Sequence, residues 1–319
     1  YALSVFQGTT IEKFPIEVIG NLEKVMGGGD LVLIRVTGGT VIKRQSGIVQ
    51  GMSGSPVYIN GKLLGAIAIG FGFPKEPIGG VTPITQMIAT SLPDPQRTRS
   101  VPVQGSKPKV QSSKAPSPLG EYRPKGNLTV AGKKIARVVV SRENRLALQD
   151  GPRGATMNMR PTSLLLQVSG MSPASVARLR PIFAPYGIEP VSGGGAMSAG
   201  AMSAFPGGAS THNVQAFGPP SRKTGVNPPF VPGGAIGVQL ASGDIDMTGV
   251  GTITYRIGNR VLGFGHPMFG IGAVSMPMTT SYIHEIFPSY QISFKLASPV
   301  KTVGELQQDN AFAVGGTLH

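Results

Sequence analysis

Gly51-Met52-Ser53-Gly54-Ser55-Pro56 is the stretch whose residue types and spacing could do chemistry. Glycines on both sides of a serine let the backbone bend so that the hydroxyl is exposed. They also bring backbone N–H groups close enough to converge on an oxyanion. Residues 47–49, Gly-Ile-Val, read as a strand leading in, and Asn60-Gly61 just beyond suits a type I′ hairpin turn. The pattern predicts a nucleophile loop between β-strands, with Ser53 as the nucleophile. A glycine-rich turn with an exposed serine and no chemistry is the competing reading.

A serine nucleophile needs a base to take its proton, and the chain has four histidines. His319 is terminal, His212 lies in an irregular polar stretch and His284 follows Tyr282 in an expected surface segment. His266 differs, because Gly265 and Pro267 pin it at the end of a strand, where a β scaffold can hold a catalytic group rigidly. A third group should fix the imidazole tautomer. Asp309 is the first choice and Asp30 the second. Asp30 opens a strand after Gly27-Gly28-Gly29, where an Asx-type turn explains it, and Asp244 and Asp246 alternate with apolar neighbours as on a solvated strand. No histidine pair has ligand spacing, so no metal site is expected. The triple glycine is too short for a phosphate or dinucleotide loop, so no cofactor is expected either.

The elements that must position these residues are strands. Period-two alternation marks residues 14–19, 57–59, 63–69, 235–240, 252–255 and 260–264, and residues 31–36 read as a more buried strand. Helices are expected only near 85–89 and over 172–183, where Pro173 sits in a plausible first turn. Residues 133–140 and 163–168 also read as strands. The expected organisation is a serine-bearing half over 1–98, a disordered linker over 99–127 poor in apolar residues, and an inserted region over 128–232. A histidine-bearing half over 233–319 completes it. Within the insert, 193–208 is low in complexity and 219–232 is a second linker.

The chain has 319 residues, with 46 glycines and 28 prolines, well above the ordinary combined share of about 12%. Such a chain is rich in turns. It lacks cysteine, which excludes disulfides and thiolate chemistry, and no apolar run is long enough to span a bilayer as a helix. It begins at Tyr1, so any leader or anchor upstream is expected to have been removed or never included. The net charge of +14 is concentrated in residues 99–180, which hold 15 Lys/Arg against 3 Asp/Glu. That segment could draw the protein toward anionic surfaces, but it lacks the interleaved aromatics that stack on bases. Nucleic acid is not an expected partner.

The serine loop resembles that of trypsin-like peptidases. Residues 47–56 with Asn60-Gly61-Lys62-Leu63-Leu64-Gly65-Ala66 closely resemble the peptidase S55 family, whose type member is the sporulation stage IV B serine peptidase. Gly265-His266-Pro267 is similar to that family's glycine-histidine-proline element. The resemblance covers 1–98 and about 235–319. It implies a trypsin-like double β-barrel formed by both ends of the chain, with serine and histidine meeting in the cleft between the barrels. It also implies a serine endopeptidase with Ser53 as nucleophile, His266 as base and the N–H groups of Gly51 and Ser53 as oxyanion donors. Its substrate would be a protein or peptide, including its own chain, outside the cytoplasm. Two departures stand out. The family's histidine precedes its serine loop, whereas His266 follows Ser53, as if the halves were permuted. The family's aspartate falls where this chain reads Thr37-Gly38-Gly39. These departures leave room for a non-catalytic binding or envelope scaffold on the same fold.

Overall fold

Residues 1–25, 28–71, 76–92, 120–124, 126–141, 146–161, 164–193, 227–288 and 293–319 are described by a computed structural model. The expected linker over 99–127 falls mainly outside these residues, as do His212, 194–208 and 219–226.

Two sheets divide the chain in sequence order. The first holds β1 (Ala2–Val5), β2 (Ile11–Phe14), β3 (Ile16–Val25), β4 (Gly29–Val36), β5 (Pro56–Ile59), β6 (Lys62–Phe71) and β7 (Ile78–Pro83). It continues through β8 (Gly120–Tyr122), β9 (Thr129–Val130), β10 (Lys133–Val140), β11 (Leu148–Gln149) and β12 (Ala155–Pro161). Asn60 and Gly61 take φ of 50° and 76° between β5 and β6, the left-handed pair that a type I′ turn requires. Two short helices flank this sheet, α1 (Thr40–Lys43) and α2 (Ile84–Ser91).

The second sheet begins with β13 (Leu164–Ser169), crosses over through α3 (Pro173–Phe183) and returns in parallel as β14 (Ile188–Ser192). Ser172 caps α3 by accepting from the Ser175 N–H at 3.2 Å, with Pro173 opening the first turn. Both choices are favoured at a helix start. Then follow β15 (Ala235–Ala241), β16 (Asp246–Ile257), β17 (Arg260–Gly263), β18 (Gly272–Phe287), β19 (Phe294–Asn310) and β20 (Ala313–Leu318). Their pairings run β15–β16–β17–β20–β19–β18 and back to β15, a closed six-stranded barrel. Closure is possible because β16 is long: its first part pairs with β15 and its last part with β17. Ile236, Val238, Ile253, Val261, Met278, Leu306 and Val314 fill its core.

The expected double barrel is therefore corrected to one closed barrel and one open sheet. Among the described residues no ladder seals the first sheet into a ring. Pro15 separates β2, which pairs with β1, from β3, which pairs with β4. β6 pairs not only with β5 and β7 but also, at its end, with β12, so the sheet runs outward through β12 and β10 to β8. The strand expected at 47–49 is also absent: these residues are irregular, and only Gln50 makes a single bridge, to Phe294. Among the described residues no helix is long and apolar enough to cross a membrane.

Candidate active site at the seam of the two sheets

The serine loop spans the gap between α1 and β5 and is knitted by its own backbone. Met52 N–H donates to Val49 O at 2.9 Å and Ser55 N–H to Met52 O at 2.9 Å. Gly54 N–H donates to Ile67 O on β6 at 2.8 Å. Gly51 and Gly54 both sit at φ +92°, a conformation that an L side chain rarely adopts. Among the described residues the Gly51 and Ser53 amides have no backbone acceptor of this kind. These are the two N–H groups anticipated as oxyanion donors.

The second sheet closes over the loop. Thr252 N–H on β16 donates to Ser53 O at 2.8 Å, Thr252 Oγ1 to Gly51 O at 2.9 Å and Thr254 Oγ1 to Gly54 O at 2.8 Å. Contact is so close that a Cβ on Gly54 would stand 1.9 Å from Thr252 O and 2.5 Å from the Phe264 nitrogen. The hydroxyl expected to be exposed is not: with the second sheet against the loop Ser53 is 0% exposed, and its Oγ has no hydrogen-bond partner among the described residues. It therefore makes no hydrogen bond to His266.

His266 follows a sharp bend in which Phe264 and Gly265 take φ of 68° and 71°. A left-handed phenylalanine is a strained conformation of the sort that clusters at functional sites. The bend is tied to the first sheet by Thr82 Oγ1, which donates to Gly265 O at 2.7 Å. His266 Nδ1 lies 2.7 Å from Pro267 O. A carbonyl oxygen only accepts, so Nδ1 carries the proton and the Nε2 lone pair is the basic one. That is the tautomer a serine's base requires. The residue is 4% exposed.

Asp309 stands elsewhere in this picture. Its carboxylate accepts the N–H groups of Met268 at 2.8 Å on Oδ1, and of Phe269 at 2.8 Å and Gly270 at 2.9 Å on Oδ2. Fully buried on β19, it clamps the turn after His266, while Pro267 O holds the imidazole Nδ1. Asp30 accepts the Lys24 N–H at 3.2 Å on the surface, as a turn residue does. Asp246 accepts from Gln239 Nε2 and Thr248 Oγ1, both at 2.6 Å, and Asp244 is exposed. His284 pairs with Ser298 Oγ at 2.8 Å inside the β18–β19 ladder, where burial lowers its pKa. No room exists for an acid at Gly38, since a Cβ there would stand 2.7 Å from the Pro15 ring. No group of three or more metal-ligating side chains forms among the described residues.

Sequence reasoning missed Lys295. It lies at the start of β19, fully buried, with Nζ 2.8 Å from Ser4 Oγ. Burial pushes its pKa from the ordinary 10.5 down to about 7. Its neighbours in sequence, Phe294 and Leu296, would mark it as the outward residue of an alternating strand. That signal fails because the serine loop covers the outer face of β19 here.

No curated protein and no solved structure matches the chain. His266 lies outside the span that matches a family model. Residues 1–86, which carry the whole serine loop, match the family described as SpoIVB peptidase S55.

Proposed function

We propose that the protein is a serine-type endopeptidase in which Ser53 is the nucleophile and His266 the base. The observation that carries this reading is the glycine-shaped loop around Ser53, with two N–H groups that meet no backbone acceptor among the described residues, packed against the Phe264 bend that precedes a histidine whose tautomer leaves Nε2 basic. Ser53 Oγ would attack the peptide carbonyl as His266 Nε2 takes its proton. The amides of Gly51 and Ser53 would hold the oxyanion. The imidazolium would then return the proton to the leaving amine, and water would hydrolyse the acyl-enzyme by the same route. Pro267 O takes the part an acid plays in a full triad, but as a neutral acceptor it stabilises the imidazolium less than a carboxylate. We read the serine-before-histidine order as a permutation, and the substrate as a protein or peptide outside the cytoplasm.

The complete burial of Ser53 favours a second reading, a binding or envelope scaffold on the same fold. In the peptidase reading the cover over Ser53 must shift to admit substrate. A fluorophosphonate probe separates the two. Labelling at Ser53, lost in Ser53→Ala and His266→Ala, supports the peptidase. A folded protein that neither labels nor cleaves a broad peptide library supports the scaffold.

A further inference from the structure

Lys295 touches the serine loop in three ways. Its backbone N–H donates to Gln50 O at 3.1 Å, while Gln50 N–H donates to Ser293 O at 2.9 Å, so β19 and the loop are zipped together at this residue. Its aliphatic stem fills the space beside Gly51: a Cβ there would stand 3.2 Å from Lys295 Cδ and 3.3 Å from its Cβ. Its head group begins a chain of hydroxyls that returns to the loop.

The directions in that chain are fixed by what each atom can do. Gly51 O only accepts, so Thr252 gives it its one proton, at 2.9 Å. At the 3.5 Å contact between Ser4 Oγ and Thr252 Oγ1, Ser4 is then the donor. Ser55 Oγ donates to Ser4 Oγ at 2.9 Å and Lys295 Nζ donates to it at 2.8 Å. Ser4 thus has both lone pairs and its proton in use, and its proton is aimed by the two donors behind it. The aim passes to Thr252 and from there to the Gly51 carbonyl. That carbonyl sits in the loop whose Gly51 and Ser53 amides are the anticipated oxyanion donors.

The usual roles of a buried lysine fit poorly. A structural cation is normally paired with a carboxylate. Around Nζ stand Ser4 and the Phe6 ring, 5.3 Å from its centroid, and no ion pair of Lys295 appears among the described residues. A Ser55–Ser4–Lys295 relay resembles a nucleophile with its base, but Ser55 Oγ and Lys295 Nζ both donate to Ser4 Oγ, so the protons run toward Ser4 and not toward the lysine.

We propose that Lys295 is a positioning residue: acting through Ser4 and Thr252, it holds the Gly51 carbonyl and so the shape of the oxyanion-binding loop around Ser53. This role rests on the peptidase reading for its catalytic meaning, but its structural content can be read separately.

The chain has no cysteine, so Lys295→Cys creates a single thiol. Alkylating it with 2-bromoethylamine in the unfolded full-length protein, then refolding, restores a side chain of lysine's length ending in an amine. Lys295→Met keeps bulk without a donor. Two readouts apply: amide hydrogen exchange of residues 50–54 against the barrel strands, and the rate of fluorophosphonate labelling at Ser53. Lys295→Met is expected to speed exchange selectively in 50–54 and to slow labelling about 10²-fold, the order expected from a misplaced catalytic group. The alkylated Lys295→Cys protein is expected to recover both. Unchanged exchange and labelling in Lys295→Met would overturn the proposal, and so would faster exchange spread evenly over the molecule, the mark of a merely stabilising residue. A wild-type protein that never labels, yet shows the selective exchange change and its rescue, would remove the peptidase reading and leave the positioning role standing.

Discussion

Ser53 carries a hydroxyl that is wholly buried and makes no hydrogen bond among the described residues. Leaving such a group unsatisfied costs about 1–3 kcal/mol, so a purely structural serine at this position would be poorly chosen. Ser53→Ala should therefore leave the fold as stable as before or raise its stability by up to about 1 kcal/mol in urea titration, while abolishing labelling. A clear loss of stability would mean that the hydroxyl has a structural partner. Asp309 makes the opposite case. Its carboxylate holds three amides, and an Asn side chain turns one of the two accepting oxygens into a donor. Asp309→Asn should lower stability by about 1.5–3 kcal/mol, the range for hydrogen bonds to a charged group. If Pro267 O alone sets the His266 tautomer, the variant's activity should fall with no shift in its pH–rate profile. A shifted profile would return Asp309 to the role of orienting acid. Asp30→Asn, which keeps an oxygen able to accept the exposed 3.2 Å bond from the Lys24 N–H, should cost no more than about 0.5 kcal/mol.

At the level of elements, the serine loop is shaped by contact between the two sheets as much as by its own turn. Gly54 shows this. An alanine there would need φ +92° and would drive its methyl into the Thr252 carbonyl and the Phe264 nitrogen. Backbone atoms held in a barrel cannot step aside. Gly54→Ala should cost at least about 3 kcal/mol, and chemical denaturation should read it as a lower midpoint, whereas Gly61→Ala, with open space around it, should pay only for its φ. Near-equal losses would show that the seam is softer than its distances say. The same contrast explains what could be read in the sequence. Asn60-Gly61, the Ser172-Pro173 helix start and the strand at 133–140 are local signals, and each appears in the structure where it was expected. The glycine turn of the serine loop was legible for the same reason, but the irregular backbone at 47–49 and the burial of Ser53 were not. Which sheet closes was not, because the barrel depends on β16 holding two partners along its length, and the first sheet stays open where Pro15 interrupts it. Nor was Lys295, whose burial comes from a segment more than two hundred residues away in the chain.

For the whole molecule, the cost of burying Lys295 has a direction that can be measured. Its pKa falls from 10.5 to about 7 because burial disfavours the charged form. Between those values the unfolded chain holds a proton that the folded chain has released, so the unfolded state binds more protons and stability climbs with pH. Below about pH 7 both states are protonated and the contribution is flat at its lowest; above 10.5 both are neutral and it is flat at its highest. The slope in between approaches one proton, about 1.4 kcal/mol per pH unit. Urea unfolding at pH 7, 8 and 9 should show the wild-type protein gaining on Lys295→Met by roughly that slope, with the variant the more stable of the two at pH 7. If the two curves run parallel, Lys295 does not titrate in this window and its ammonium has found compensation. If they converge as predicted, a substitution that stabilises the protein at neutral pH while slowing Ser53 would mark Lys295 as a residue kept against stability, as sites under functional demand are.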